Sequence, residues 1–341
     1  MADSVFRCPL PLPDDALRAV NSYLIRSSGG FLLIDCGWDR EETMERLRQA
    51  LRELGGGLES VRGIFATHVH RDHLGLAGQV RDESGAWVSL GRGDQATLEA
   101  FARDPRRARA ASLERLRQAA ADDVASRLRQ LAGGGEGWRP PLPDILLSGE
   151  EVLLQDGHRL EVIPTPGHTR GHLCLFDRDR EILFAGDHVL PQITPSLGVE
   201  LPDRSSPLTA FLSSLELVRQ LPASLVLPAH GPVFSDLKGR VDELLEHHRV
   251  RLEECLEVVL DGARSARAVA EALPWTRRRR HFSTLDPFNQ MLAVFESEAH
   301  LLVLAERGLL ARQVADSVVS YAPASTDPGQ SEQSAQGGDR A

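Results

Sequence analysis

Thr67-His68-Val69-His70-Arg71-Asp72-His73 (THVHRDH) sets three histidines and an acid in one short stretch, directly after the apolar run GIFA at 63–66. A buried strand that ends in such a cluster delivers its polar side chains to one edge of a sheet, where loops carry function. Alternation along the strand sends His68 and His70 to one side, and the turn that follows presents Asp72 and His73 to a neighbouring position. Imidazole and carboxylate without thiolate is a donor set for Zn²⁺ or another borderline divalent ion, with iron and manganese as alternatives. The competing reading is a solvated polar loop, and donors supplied by distant segments would decide against it.

Three other segments supply them. His168 stands in TPGHTRGH after the run LEVIPT, Asp187 follows ILFAG, and His230 follows LVLPA. Each time an apolar run ends in a small residue, and the next polar side chain is a candidate ligand. Gly167, Gly186 and Gly231 fit the close backbone approach that such a site needs. A single buried histidine is more often structural; four strand ends of the same kind point to one shared site.

Outward from these motifs, VNSYLIR (20–26) and FLLID (31–35) read as a hairpin around Ser27-Ser28-Gly29-Gly30. Glu41 to Leu54 has helical spacing through Met44, Leu47 and Leu51 and stops at Gly55-Gly56-Gly57. The helix-like segment 74–83 and the strand WVSL (87–90) complete an α/β alternation. Residues 94–132 then form a helical insertion of one or two helices, ended by Gly133-Gly134-Gly135 and the rigid connector PPLPD (140–144). From 145 to 190 the period returns to two, Leu208 to Leu221 is helical, and Val241 to Arg307 is helical almost throughout. The expected domains are a catalytic unit over 1–239, a C-terminal unit over 240–315 and a disordered tail over 322–341.

The chain has 341 residues, 42% hydrophobic and 26% charged, which excludes a fibrous or wholly disordered protein. No apolar run is long enough to span a membrane, and MADSVFRCPLPLPDD lacks the pattern of a secretory signal, so a cytoplasmic protein is expected. Cys8, Cys36, Cys174 and Cys255 contain no CxxC pair and read as reduced thiols. The net charge of −10 only weakly disfavours nucleic acid, because basic residues cluster locally. Lys238 is the only lysine, so the arginine wealth reflects overall composition more than selection for phosphate binding.

The set THVHRDH, His168, Asp187 and His230, with Asp35 in LLIDCG before it, resembles the metallo-β-lactamase superfamily, whose five motifs appear here in order over residues 20–235. PGHTRGH and FAGD are most similar to its glyoxalase II branch. The resemblance implies an αββα sandwich. It also implies that His68, His70 and His168 hold one metal, that Asp72, His73 and His230 hold a second, and that Asp187 bridges them. Asp35 is implied to pin the loop bearing the histidine cluster, and Thr67 to orient it.

Two metals about 3.5–4 Å apart share a hydroxide that is nucleophilic near neutral pH. Asp72, the candidate catalytic residue, is placed to orient it. The expected reaction is hydrolysis of a thioester or similarly activated small acyl substrate, such as an acyl-CoA or a glutathione thioester. A two-metal phosphodiesterase or endoribonuclease and a lactone hydrolase are the alternatives, and an iron-dependent persulfide dioxygenase is disfavoured by the full second ligand set. His172 is expected to pack or hydrogen-bond within the β layer, His188 to stay outside the metal shell, and Cys36 to be a packed thiol.

Residues 265–274 and 287–313 resemble the small helical winged-helix unit of the β-lactamase-like protein 2 branch. Glu296, Glu298 and Glu306 on its second helix argue against a nucleic-acid face and favour a wall for the site or a homodimer contact. The loop 190–200 carries Ile193, Leu197 and Val199, which suit an acyl chain or ordinary packing. Arg103, Arg106, Arg107, Arg109, Arg115, Arg117, Arg127 and Arg129 in the insertion, like Arg277 to Arg280, form either an anion-binding lid or a solvated face.

Overall fold

In a computed structural model, which describes residues 4–13, 17–131, 138–155, 157–199, 206–276 and 278–324, two sheets lie face to face between layers of helices. The first sheet runs in chain order as β1 (Val5–Pro11), β2 (Ala19–Ser27), β3 (Gly30–Ile34), β4 (Val61–Phe65), β5 (Trp87–Gly91) and β6 (Ile145–Leu147). Its first three strands are antiparallel and the remaining pairings are parallel. Parallel neighbours need crossovers, and these are α1 (Glu41–Glu53), then α2 (Arg71–Leu74) with α3 (Ala77–Ser84), then α4 (Gln95–Arg103), α5 (Pro105–Gln118) and α6 (Asp122–Leu131).

The second sheet has β7 (Val152–Gln155), β8 (His158–Pro164), β9 (Leu173–Asp177) and β10 (Ile182–Gly186) as an antiparallel meander. Helix α7 (Pro207–Val218) then crosses to β11 (Leu225–Pro228), parallel to β10. Helices α8 (Leu237–Leu260), α9 (Ala266–Ala272) and α10 (Pro287–Glu306) follow, with a hairpin of β12 (Leu310–Ala315) and β13 (Val318–Pro323).

Strand alternation explains the layering. Leu173 and Leu175 of β9 and Ile182 and Phe184 of β10 point between the sheets against Tyr23, Ile25, Leu32, Ile34 and Phe65. The intervening Cys174, Phe176, Leu183 and Ala185 face the other way, onto Phe211, Leu215, Val241, Leu244 and Phe295. On the first sheet, Leu33 and Ile64 pack against Met44, Leu47 and Leu51 of α1. Each buried leucine or phenylalanine contributes about 1.5–3 kcal/mol, so three continuous apolar layers hold the strand ends rigidly. This is the expected αββα sandwich.

The structure departs from the sequence expectations in four places. Strand β1 was unanticipated because Pro9 and Pro11 disguise it; it lies at a sheet edge, where proline is tolerated. The insertion contains three helices. Asp104 caps α5 by accepting from the backbone N–H groups of Arg106 and Arg107, with Pro105 at the first helical position, and Ala120 at φ +61° separates α5 from α6. The C-terminal region breaks between α9 and α10, where Trp275 and Arg280 form an isolated bridge. Strand β13 runs past the expected boundary at 322, since Ala322 and Pro323 belong to it and Tyr321 is buried. Residues 325–341, Gly133 to Gly135, Glu200 and Arg277 lie outside the described residues. Among the described residues no helix is long and apolar enough to cross a membrane.

Candidate metal centre

The seven candidate ligands arrive from four strand ends. His68, His70, Asp72 and His73 follow β4, His168 lies between β8 and β9, Asp187 directly follows β10, and His230 follows β11. Asp35, directly after β3, adopts a left-handed φ of +56° and organises the first loop. Its carboxylate accepts from the Thr67 backbone N–H at 2.8 Å, the Thr67 hydroxyl at 3.0 Å and His73 Nδ1 at 2.8 Å. With its hydroxyl spent on Asp35, Thr67 Oγ1 accepts from His68 Nδ1 at 3.0 Å.

These bonds fix tautomers. His68 donates from Nδ1, His168 donates from Nδ1 to the Ser196 carbonyl at 2.7 Å, and His230 donates from Nδ1 to the Ala19 carbonyl at 3.0 Å. The Nε2 lone pairs of His68 and His168 therefore face each other at 3.2 Å, and each lies 3.0 Å from His70 Nδ1. Acceptor nitrogens so close repel one another unless a cation sits among them. A tetrahedral zinc with bonds of 2.0–2.1 Å places its nitrogens about 3.3 Å apart, so the triangle fits.

The second group is Asp72, His73 and His230. Asp72 Oδ2 lies 3.5 Å from His73 Nε2 and 3.4 Å from His230 Nε2. Asp187 stands between the groups, with Oδ1 3.4 Å from His230 Nε2 and Oδ2 3.4 Å from His168 Nε2 and 3.7 Å from His73 Nε2. These separations are long for hydrogen bonds and suit the edges of a coordination polyhedron. His73 Nε2 and Asp187 Oδ1 are buried and have no hydrogen-bond partner. Buried polar atoms are rarely left so, and a divalent ion is the partner these two atoms fit.

The two groups differ electrostatically. Burial drives the first toward neutrality: His68 titrates well below its ordinary value, His70 is pushed down to about 3, and His168 is lowered. In the second, burial again opposes charge, but Asp72, Asp35 and Asp187 outweigh it and hold His73 well above its ordinary value. Burial is likewise overcome at His230, which Asp187 and Asp72 raise to about 9. The same histidines hold Asp72 and Asp187 ionised against their burial. Positive charge is thus favoured at the carboxylate-bearing end of the site.

Several supporting residues escaped the sequence reading. Asp94 is buried and joins two ligand loops, accepting from Val69 N–H at 2.9 Å, the Thr169 hydroxyl at 2.9 Å and Gly171 N–H at 2.6 Å. Asn21 donates to the carbonyls of Pro228 and Gly231, both at 2.9 Å, and so holds the loop of His230. The available signal was an Asn-Ser pair inside an otherwise apolar strand.

His172 does hydrogen-bond within the β layer, and it also accepts from the Asp187 backbone N–H at 3.0 Å. At Gly186, with φ +50°, an added Cβ would stand 2.6 Å from His172 Nε2 and 2.9 Å from Thr67 Cβ, so a side chain is excluded. His188 stays outside both groups, beside Phe211. Cys36 is buried, and its thiol is pushed well up by burial. Leu197 is fully buried in the helix-side core, so it does not face a substrate; Ile193 is 39% exposed. Of the insertion's arginines, Arg115 is buried against Glu298, Arg117 pairs with Glu114 and Arg127 with Asp123, while Arg106, Arg107 and Arg109 are exposed.

An αββα sandwich whose strand ends gather five histidines and two aspartates around one buried point makes a candidate metal centre. The chain belongs to the metallo-beta-lactamase superfamily, whose profile matches residues 15–230. It is 29% identical to a metallo-beta-lactamase family protein of Thermus thermophilus, with a TM-score of 0.79 over 94% of this chain and 98% of that one. A beta-lactamase domain protein of Burkholderia ambifaria is 26% identical, with a TM-score of 0.77 over 95% and 93%. Among curated proteins, the Beta-lactamase-like protein 2 homolog of Caenorhabditis elegans is 25% identical over 71% of this chain and 66% of its own length. An atrochrysone carboxyl ACP thioesterase of Aspergillus fumigatus is 23% identical over 76% of this chain and 49% of its own. The chain thus spans less than two thirds of the length of these curated relatives.

Proposed function

We propose that the protein hydrolyses a thioester or a similarly activated acyl compound at a pair of divalent ions, zinc by the character of the donors. In this reading His68, His70 and His168 would hold one ion and Asp72, His73 and His230 the other, with Asp187 shared between them. The observation that carries it is the reach of Asp187 into both groups, with Oδ2 3.4 Å from His168 of the first and Oδ1 3.4 Å from His230 and Oδ2 3.7 Å from His73 of the second. With both ions bound, such a site supplies a water acidified toward neutral pH and a polarised carbonyl.

The chain's own residues do the rest. Asp35 and Thr67 keep His68 and His73 in the tautomers that turn Nε2 inward. Asp72 keeps 19% of its side chain exposed, so a water reaches it and is oriented there. Thiolate is a good leaving group, which suits a site with no nucleophilic serine or cysteine among its residues. The thioesterase named among the relatives supports the acyl substrate. The glyoxalase II likeness of PGHTRGH supports a small thiol carrier such as coenzyme A or glutathione. Four buried, unpaired cysteines suit a reducing compartment such as the cytoplasm.

We read the C-terminal unit, winged-helix-like in its order of α9, α10 and hairpin, as a wall of the site. Helix α10 supports this, since Gln290, Met291, Phe295, Glu298 and His300 are buried, leaving it little face for a nucleic acid. Metal analysis joined to parallel assays with acyl-CoA, hydroxyacyl-glutathione, a lactone and single-stranded RNA tests the proposal. Close to two zinc ions per chain and thioester turnover are expected. Cleavage of RNA alone would replace it by the phosphodiesterase reading, and a single iron by the dioxygenase.

A further inference from the structure

Between Asp187 and Gly198 the chain runs as a strap, and its backbone carbonyls are held one after another by cations or imidazole. Arg240 of α8 donates from Nε to the Leu190 carbonyl at 2.7 Å and from a terminal nitrogen to Ile193 at 2.9 Å. His168 donates to Ser196, and Arg115 of α5 donates to Gly198. Arg115 is itself fixed. Glu298 of α10 accepts from its Nε and from a terminal nitrogen, both at 2.7 Å, and its guanidinium lies 4.2 Å from the centre of the Phe295 ring. Further along, α10 holds the chain where it re-enters the fold, with Glu306 accepting from Ser206 N–H at 2.8 Å and from the Thr209 hydroxyl.

We infer that Arg115 and Arg240 are positioning residues for the metal centre, acting through this strap on His168 and Asp187. The strap starts at the carboxylate shared by both donor groups and carries, at Ser196, the carbonyl that sets the tautomer of His168. Buried apolar side chains anchor its two ends, Val189 and Leu190 at one and Leu197 at the other, whereas Ile193 between them is 39% exposed. Apolar packing holds those ends but does not orient the backbone carbonyls, and that falls to the two guanidiniums, which come from the helical insertion and from the C-terminal helices. On this view those additions to the sandwich complete the metal site mechanically, beyond walling it. A guanidinium suits the task, because a planar fork held on one side by a carboxylate keeps a fixed direction for its remaining donors.

The inference rests on the proposed metal reading, and the test separates the two. Wild type, Arg115→Gln, Arg115→Lys and Arg240→Gln would be titrated with zinc against a competing chelator. The cobalt-substituted proteins would be compared by visible absorption. Removing an outer partner of a metal ligand typically weakens metal affinity 10–100-fold. We expect that loss for the ion at His68, His70 and His168, a changed cobalt spectrum, and a fall in kcat larger than any rise in KM. Arg115→Lys keeps the charge but not the fork and should restore thermal stability more than zinc affinity. Should Arg115→Gln fail to fold, Arg240→Gln decides, since its side chain lies at the rim beside the exposed Glu243. Folded variants with wild-type zinc affinity and cobalt spectrum overturn the inference alone. A wild-type protein that takes up no zinc, cobalt, iron or manganese overturns the metal reading itself.

Discussion

Both ends of the sandwich bury histidines against carboxylates, and only one end is arranged for chemistry. At the end away from the metal centre, His158 of β8 bonds Asp177 of β9 through Nδ1 at 2.5 Å and Ser4 through Nε2 at 2.6 Å. The residue types match a nucleophilic triad, yet both ring nitrogens are spent in one closed line, and Arg180 covers the same carboxylate. At the other end, His68, His73, His168 and His230 each spend Nδ1 on the protein and aim Nε2 into a shared space. Residue type does not distinguish the two ends; the unspent lone pairs do.

The largest effect that would break this comparison is at Asp187. Asp187→Ala should lower kcat at least about 10³-fold, roughly 4 kcal/mol of barrier, and lower the zinc content of folded protein. Near-normal turnover with both ions bound would show that the lone pairs converge for some other reason. Asp35→Ala acts one bond further out, and about a 10–100-fold loss of metal affinity is expected, read by chelator competition.

His158→Gln sharpens the contrast from the other side. It should cost about 1–3 kcal/mol of stability in chemical denaturation while leaving kcat per folded molecule unchanged. A large loss of turnover would mean that the two ends are coupled.

The smallest effect lies in a third histidine cluster, where His248 Nδ1 meets His300 Nε2 at 3.1 Å between α8 and α10. Burial pushes His300 down to about 3. The unfolded chain, titrating near 6.5, then binds the proton more tightly than the folded one, so stability falls as pH drops below about 6.5. At pH 5 the loss from this one group approaches roughly 2 kcal/mol. The stability difference between pH 7 and pH 5, compared in wild type and His300→Gln, should shrink by about that amount in the variant.

What the sequence disclosed follows the same logic. Strand ends were legible because an apolar run that stops at a small residue and a polar one is a local signature, and all the candidate ligands stood at such ends. Asp94 was not legible. It sits in GRGD at the mouth of an arginine-rich insertion, and only the fold reveals that Gly91, Gly93 and Gly171 let the two ligand loops approach its carboxylate. Arg115 was hidden for a related reason. One arginine among many in the insertion reads as surface, and the carboxylate that buries it lies 183 residues away. Leu197 stayed open because an apolar residue in a loop beside the metals reads equally well as pocket wall or as core, and the fold places it in the core. Contacts of long sequence separation leave no periodic trace, so the supporting frame of the site was the part that needed coordinates.

The four cysteines make the two halves of the molecule separately observable. Cys8 and Cys36 lie in the apolar layer shared by the first sheet and α1, and Cys174 and Cys255 in the layer beneath the second sheet and α8. All four are buried and unpaired, so an alkylating reagent reaches each only when its own layer opens. Peptide-resolved labelling over time is thereby a native stopwatch for each layer, with no engineered probe.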